Sequence, residues 1–286
     1  MENIAKIIIC ILLLTSCQKN NQVVNITLHC GAGLRLAADA LIEEFEKNNN
    51  TKINANYAGS GRLLGQITAG NLGGLFMPGA EFYVDKAVEK DIAEKNSKHT
   101  VAYFVPVIFV QKGNPKNIRS LKDFERDDIR IGLGDERAAA IGKRTLKIFD
   151  KNNIPYEKIK KNIVVKTGTV NELGVAIETK TVDAVVLWDV TARQFANDGD
   201  IISIPSNQNL VSVVPIVLLK PTLENIDNPK TIIDAPENKD IMDKAYLLQA
   251  LVYFSKEDFL KTKQSLVKLQ NSMGNLFVNA MEASFL

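Results

Sequence analysis

From Asn25 onward, short apolar runs alternate with stretches whose apolar residues recur at helical spacing. That alternation predicts βαβ units and a parallel sheet covered by helices. Residues 25–30 read as a strand, 34–47 as a helix in which Leu34, Ala37, Ala38, Leu41, Ile42 and Phe45 share one face, and 52–57 as a second strand. A helix over 63–69, a short strand over 74–77 and an amphipathic helix over 84–93 follow, the last introduced by the turn signal Pro78-Gly79. Residues 101–110 form a long extended segment interrupted only by Pro106, the first candidate for a passage between two lobes.

A second set of alternating elements then begins, with a strand over 129–133, a helix over 138–151, a strand over 163–166, a helix over 170–179 and a strongly apolar strand over 182–188. Residues 201–204 and 211–219 bring the chain back in extended form. Pro215 in the latter points to a crossing or an edge rather than an interior strand, because proline cannot donate to a ladder. Residues 240–254 and 257–269 read as helices packed on the first lobe. The pattern predicts an α/β protein of two lobes, each a mainly parallel sheet flanked by helices. Lobe 1 takes 25–104 and 207–286, lobe 2 takes 105–206, and the two crossings lie near 104 and 207. A cleft between lobes of this kind is where small ligands bind.

The 286 residues suffice for two medium domains without disulfide staples. With 35 Lys and Arg against 33 Asp and Glu, the net charge is only +2. That leaves no basic excess with which to neutralise phosphates, so no nucleic-acid partner is expected.

Residues 1–16 carry one cation, Lys6, and an apolar run from Ile7 to Leu14 that is too short to span a bilayer permanently. They read as a signal peptide. Leu14-Thr15-Ser16-Cys17 resembles the lipobox of bacterial lipoproteins, which implies cleavage before Cys17, a thioether lipid on its sulfur and a tether over 17–24. Several acyl chains hold a soluble domain durably at a membrane surface. Of the three cysteines, 10 falls in the removed segment and 17 in the anchor. Cys30 is left as a lone thiol outside the cytoplasm, expected to be a small half-buried residue at a strand end.

Catalytic patterns are weak. The two histidines, His29 and His99, have no metal-ligand spacing. Ser60 sits in Ala58-Gly59-Ser60-Gly61-Arg62, where Ala58 and Arg62 occupy the glycine positions of a nucleophile elbow. A secreted serine hydrolase using Ser60 and His29 is therefore the second reading. In Gly31-Ala32-Gly33, Leu36 stands where a dinucleotide loop needs its third glycine. No cofactor and no resident metal are expected.

Anion capture by backbone fits better. The loops at 30–33 and 58–61 place small residues at two helix starts, where unpaired N–H groups and a partial positive charge can meet an oxyanion. Ser60 can add a hydroxyl donor or serve as a plain N-cap. Trp188 is either a core aromatic or a cleft contact. Arg35 and Arg62 stand just inside the two helix starts, either reaching the cleft mouth or solvated. The lysines at 158, 160, 161 and 166 read as a wet surface that could also help dock a transporter.

Four stretches in register resemble the molybdate-binding proteins of ABC importers. Residues 56–67, reading Asn-Tyr-Ala-Gly-Ser-Gly-Arg-Leu-Leu-Gly-Gln-Ile, are similar to that family's serine-glycine loop. Gly132-Leu133-Gly134-Asp135 to Gly142 is similar to its glycine-aspartate loop, residues 170–178 to its next helix, and Asp183-Ala184-Val185-Val186-Leu187-Trp188 to its Asp-Ala-Gly-Ile-Val-Tyr strand. The resemblance implies a two-lobed type II periplasmic binding fold that closes on a tetrahedral oxyanion. The implied contacts are Gly33, Ser60, the amides of Ile141 and Val170, and Trp188. Gly33 stands where a serine is usual, Trp188 where a tyrosine is, and Ala140 where a proline is.

The function so implied is that of a monomeric, lipid-anchored receptor at the periplasm or cell surface. It takes a small oxyanion, molybdate or tungstate, and hands it to ABC permease subunits. Sulfate, phosphate and thiosulfate are the alternative ligands. A protonated phosphate also needs an acceptor, for which Asp135 and Asp189 are nearest.

Overall fold

The structure, a computed structural model, describes residues 24–49 and 51–220. The segment 1–16 expected to be a signal peptide, Cys17 and the expected tether up to residue 23, and the two helices expected over 240–269 lie outside the described residues.

The chain opens with β1 (Val24–Gly31), α1 (Arg35–Asn48) and β2 (Thr51–Ala58), the two strands pairing in parallel. Helix α2 (Ser60–Gly70) crosses over to β3 (Leu75–Met77), parallel to β1 on its other side. It stops at Asn71, whose φ of 44° is the left-handed turn that ends many helices. The helix expected over 84–93 is α3 (Glu81–Glu89), shifted toward the N-terminus. It cannot run on because Asp91 takes a φ of 61° and the Ile92 N–H turns back to the Ala87 carbonyl at 3.0 Å.

The extended segment after α3 divides at Val105 into β4 (His99–Phe104) and β5 (Pro106–Gln111). Beyond it come β6 (Ile131–Gly134), α4 (Ala140–Lys151), the short α5 (Tyr156–Ile159), β7 (Ile163–Thr167), α6 (Val170–Glu178), β8 (Ala184–Trp188), α7 (Asp189–Gln194), β9 (Gly199–Ser203) and β10 (Ser212–Leu218). They form two sheets, ordered β2-β1-β3-β10-β4 and β7-β6-β8-β5-β9. In each sheet four strands run one way and one is reversed, β10 in the first and β5 in the second. The reversed strand is in both cases the one that brings the chain in from the other sheet. The architecture is the two-lobed α/β fold with two mixed sheets flanked by helices.

Strand β10 is not the edge or crossing that Pro215 suggested. It lies between β3 and β4, with a register shift at Val214/Pro215. The short β3 reaches only Val217 and Leu218, so Pro215 faces a ladder on the β4 side alone. An interior strand can thus carry a proline at a level where one neighbour has already ended.

Asp183, just before β8, ties that strand to the start of β6. It accepts hydrogen bonds from Arg130 N and Nη2, both at 2.8 Å, while 3% exposed. Burial pushes its carboxyl toward a higher pKa, but the Arg130 hydrogen bonds more than offset this and hold it below the usual range. Cys30, expected to be half-buried, is fully buried in β1, and burial pushes its thiol far above the ordinary range. It is a packing residue.

Candidate functional site

Every parallel strand that carries a crossover helix ends at the same place. The loops after β1, β2, β3, β6 and β7 and the ends of β4 and β8 line one cavity between the sheets: Gly31–Gly33, Ala58–Ser60, Gly79, Ala139–Ile141, Thr169–Val170, Phe104 and Trp188. Open α/β sheets bind ligands at this end because the following helices present their N-terminal amides there. The cavity measures about 20 Å³, room on the order of one or two water molecules.

All five sequence-derived contacts fall on this lining. Ser60 is the first helical residue of α2, and Gly59 holds the N-cap position, so the serine is not the helix's cap. Its Oγ, 2% exposed, accepts from the Gly79 N–H at 2.9 Å. Among the described residues no acceptor takes the hydroxyl proton, which remains for a guest. Ile141 is the second residue of α4 and Val170 the first of α6, positions whose amides find no acceptor within an α-helix. Thr169 caps α6, accepting from Glu172 N at 3.4 Å.

Gly33 and Trp188 prove to be one feature. A Cβ on Gly33 would lie 2.9 Å from Val170 Cγ1 and 3.3 Å from Trp188 Cδ1. The indole, 2% exposed and stacked on Phe104 with centroids 5.0 Å apart, occupies the room that a side chain at position 33 needs. The two departures from the resembled family therefore compensate each other, and Trp188 is at once core aromatic and cavity wall.

Glycine is also required where the lobes meet. The Gly61 N–H donates to the Ala138 carbonyl of the opposite lobe at 2.9 Å. A Cβ on Gly61 would stand 1.7 Å from the Arg137 oxygen, and one on Gly59 would stand 2.2 Å from Gly168 O and 2.4 Å from Ala138 O. Across the same seam Lys143 Nζ sits 4.3 Å from the Phe82 ring centroid.

Among the described residues no charged side chain lines the cavity. Arg35 is exposed with its guanidinium 4.4 Å over the Tyr57 ring, and Arg62 is exposed, so neither contributes to the wall. Asp135 turns its carboxylate to the amides of Arg137 and Ala138, at 2.8 and 2.9 Å, which hold its pKa low. Asp189 accepts from Val105 N at 3.2 Å in the crossing. The His29 ring meets Gly73 O and Asn56 rather than Ser60, which removes the basis for a Ser60–His29 hydrolase. The four surface lysines pair with Glu125, Glu157, Asp127 and Glu136. Among the described residues no cluster of His, Cys, Asp and Glu is arranged to hold a metal ion.

Sequence reasoning passed over Gly79 and Phe104. The Pro78-Gly79 turn signal marked the first as a loop without pointing at the cleft, and nothing local marks Phe104, whose role comes from lying beside Val105 where the chain changes sheets.

A family model for bacterial extracellular solute-binding proteins matches residues 26–230. A putative binding protein of Haemophilus influenzae is 28% identical over 243 residues, spanning 85% of this chain and 93% of that one. A putative ABC transporter substrate-binding lipoprotein of Bacillus subtilis is 28% identical over 189 residues, 63% of this chain and 71% of its own length. Among solved structures, the periplasmic molybdate-binding protein of Azotobacter vinelandii superposes with a TM-score of 0.59 at 15% identity, covering 77% of this chain and 97% of that one. This last likeness is one of fold.

Proposed function

The chain belongs to the bacterial extracellular solute-binding proteins, and from that premise we propose that it captures a fully ionised tetrahedral oxyanion between its lobes, molybdate or tungstate first, and delivers it to an ABC permease. One observation carries the proposal: a small cavity walled by the starts of helices from both lobes and by the Ser60 hydroxyl, with no charged side chain among the described residues. Such a wall turns uncharged donors of both lobes toward an anion. A protonated phosphate needs an acceptor as well, and both Asp135 and Asp189 are engaged elsewhere.

In this proposal Gly33 and Ser60 contribute from lobe 1 and Ile141, Val170 and Trp188 from lobe 2. Only the closed form brings both sets to one guest, so binding favours closure in proportion to that differential contact. The hinge is assigned to the Phe104–Pro106 passage and to the segment between β9 and β10. Cys17 is assigned the lipid anchor, in keeping with the lipoprotein relative.

Calorimetric and thermal-shift titration of the mature domain with molybdate, tungstate, sulfate, phosphate and thiosulfate tests the ligand class. One-site binding stabilises the fold by about 2.7 kcal/mol at a hundredfold excess over Kd. Silence toward all five overturns the oxyanion assignment. Labelling with radioactive palmitate, lost in Cys17→Ser, tests the anchor.

A further inference from the structure

Behind the cavity wall stands a cation that no described residue meets as a counter-ion. Arg144 lies one turn beyond Ala140 and Ile141 on α4, and a long side chain on a helix leans back toward the N-terminus, here toward the cavity. Its Nη2 donates to the Ser212 hydroxyl at 3.1 Å, which donates to the Gly79 carbonyl at 3.0 Å, while the Gly79 N–H donates to Ser60 Oγ at 2.9 Å. Gly79 and Ser60 line the cavity, whereas Arg144 and Ser212 stand directly behind it.

The guanidinium is half-buried, and desolvation pushes its pKa below the ordinary arginine range. Arg126 and Arg130 meet aspartates at 3.0 and 2.8 Å, but Arg144 enters no ion pair among the described residues. Arginine stays protonated in such a place. A whole positive charge is thus kept partly out of water with no described residue neutralising it, an unfavourable arrangement that an anion would relieve.

On the oxyanion reading above, on which this step rests, we infer that Arg144 is the remote counter-charge of the site: it never touches the guest, and it biases the cavity toward doubly over singly charged anions. The physical distinction is simple. A fixed charge acts on a guest in proportion to the guest's own charge. Loss of a wall donor also costs a dianion more than a monoanion, so Ser212→Ala, which disturbs the wall and keeps the charge, supplies the baseline against which the charge is read.

Tungstate and perrhenate are tetrahedral anions of similar size carrying two charges and one. Their dissociation constants are to be measured by calorimetry at about 0.1 M salt, where the screening length is ~10 Å, for wild type, Arg144→Gln, Arg144→Lys and Ser212→Ala. In Arg144→Gln the tungstate constant is expected to rise by the square of the factor for perrhenate, for instance about tenfold against about threefold. Arg144→Lys retains the wild-type ratio of the two constants. Ser212→Ala, which removes the link and leaves the charge, changes the ratio of the two constants less than Arg144→Gln does, and an equal change overturns the counter-charge. Arg144→Met, a second neutral replacement, keeps the inference testable if Arg144→Gln fails to fold. Equal factors for the two anions in Arg144→Gln, no change in either, or a ratio that Arg144→Lys does not retain overturns the counter-charge while leaving the oxyanion site standing. A wild-type protein that binds neither anion overturns both.

Discussion

A methyl group added at Gly61 would stand 1.7 Å from the Arg137 carbonyl oxygen across the seam between the lobes. To restore an ordinary contact of about 3.4 Å, the lobes must part by about 1.7 Å, which takes hydrogen bonds of ~2.9 Å past 4 Å and so breaks them. Gly61→Ala therefore removes the two amide donors proposed on the far lobe, at Ile141 and Val170. Hydrogen bonds to a charged partner contribute about 1.5–3 kcal/mol each, so two of them amount to about 3–6 kcal/mol, a rise in Kd of at least ~10²-fold. Gly65, on the same helix with nothing within 4 Å of its Cβ position, is the control. Titration with molybdate should show Gly65→Ala binding like wild type and Gly61→Ala binding weaker by at least that factor. Both unliganded variants should unfold near the wild-type temperature, since alanine suits a helix better than glycine. A Gly61→Ala protein whose Kd stays within tenfold of wild type refutes closure at this seam. A separate readout needs no ligand: the Gly61 amide, donating to Ala138 O, exchanges slowly in wild type and quickly if the lobes stand open.

Ser60→Ala deletes the hydroxyl and strands the Gly79 N–H, and should weaken oxyanion binding by about 1–3 kcal/mol, read as a Kd change of about 5- to 150-fold. Gly33→Ser forces a side chain against Val170 and Trp188 and should weaken binding alone, while the pair Gly33→Ser with Trp188→Tyr recovers part of the loss, a coupling of about 0.5–3 kcal/mol in a double-mutant cycle. Asp183→Asn should lower stability by about 1–3 kcal/mol above pH ~4, the half-exposed Arg130 keeping it from more. Because the folded-state pKa of Asp183 lies below the unfolded one, this contribution is present above the unfolded value of ~3.9 and is lost as pH falls through the folded value. Chemical denaturation from pH 7 to pH 2 should show the gap between wild type and variant closing at the acid end.

Element identities were largely legible because they rest on short-range signals. The period-2 and period-3.6 apolar patterns gave β1, α1, β2, α4, α6 and β8 to within a residue or three at each end. The helix over 84–93 was set too late because the left-handed turn at Asp91 lies at a residue with no glycine to announce it. Pro215 misled for a different reason. The edge rule assumes a neighbour along the whole strand, whereas β3 ends early and leaves the proline a bare flank. The five candidate contacts converge on one cavity, but their convergence was readable only through the resemblance, since residues 33, 60, 141, 170 and 188 meet across long stretches of chain. The compensation between Gly33 and Trp188, and the link from Arg144 through Ser212 to Gly79, are tertiary facts with no local signature.

Among the described strands, β3 and β4 join only through β10, so this amino-terminal sheet remains in two pieces until Ser212–Leu218 has emerged from the ribosome. The carboxyl-terminal sheet, β5 to β9, holds all its strands before then. The half synthesised first is thus assembled last, by a pairing of Val217 with Phe76 that must wait for most of the intervening chain. In a family named for its extracellular place, such tardiness in the cytosol keeps a chain open for export. Nascent chains stalled so that residue 205 or residue 225 has just cleared the exit tunnel should show it under brief proteolysis, with the β1–β4 region digested in the first and resistant in the second.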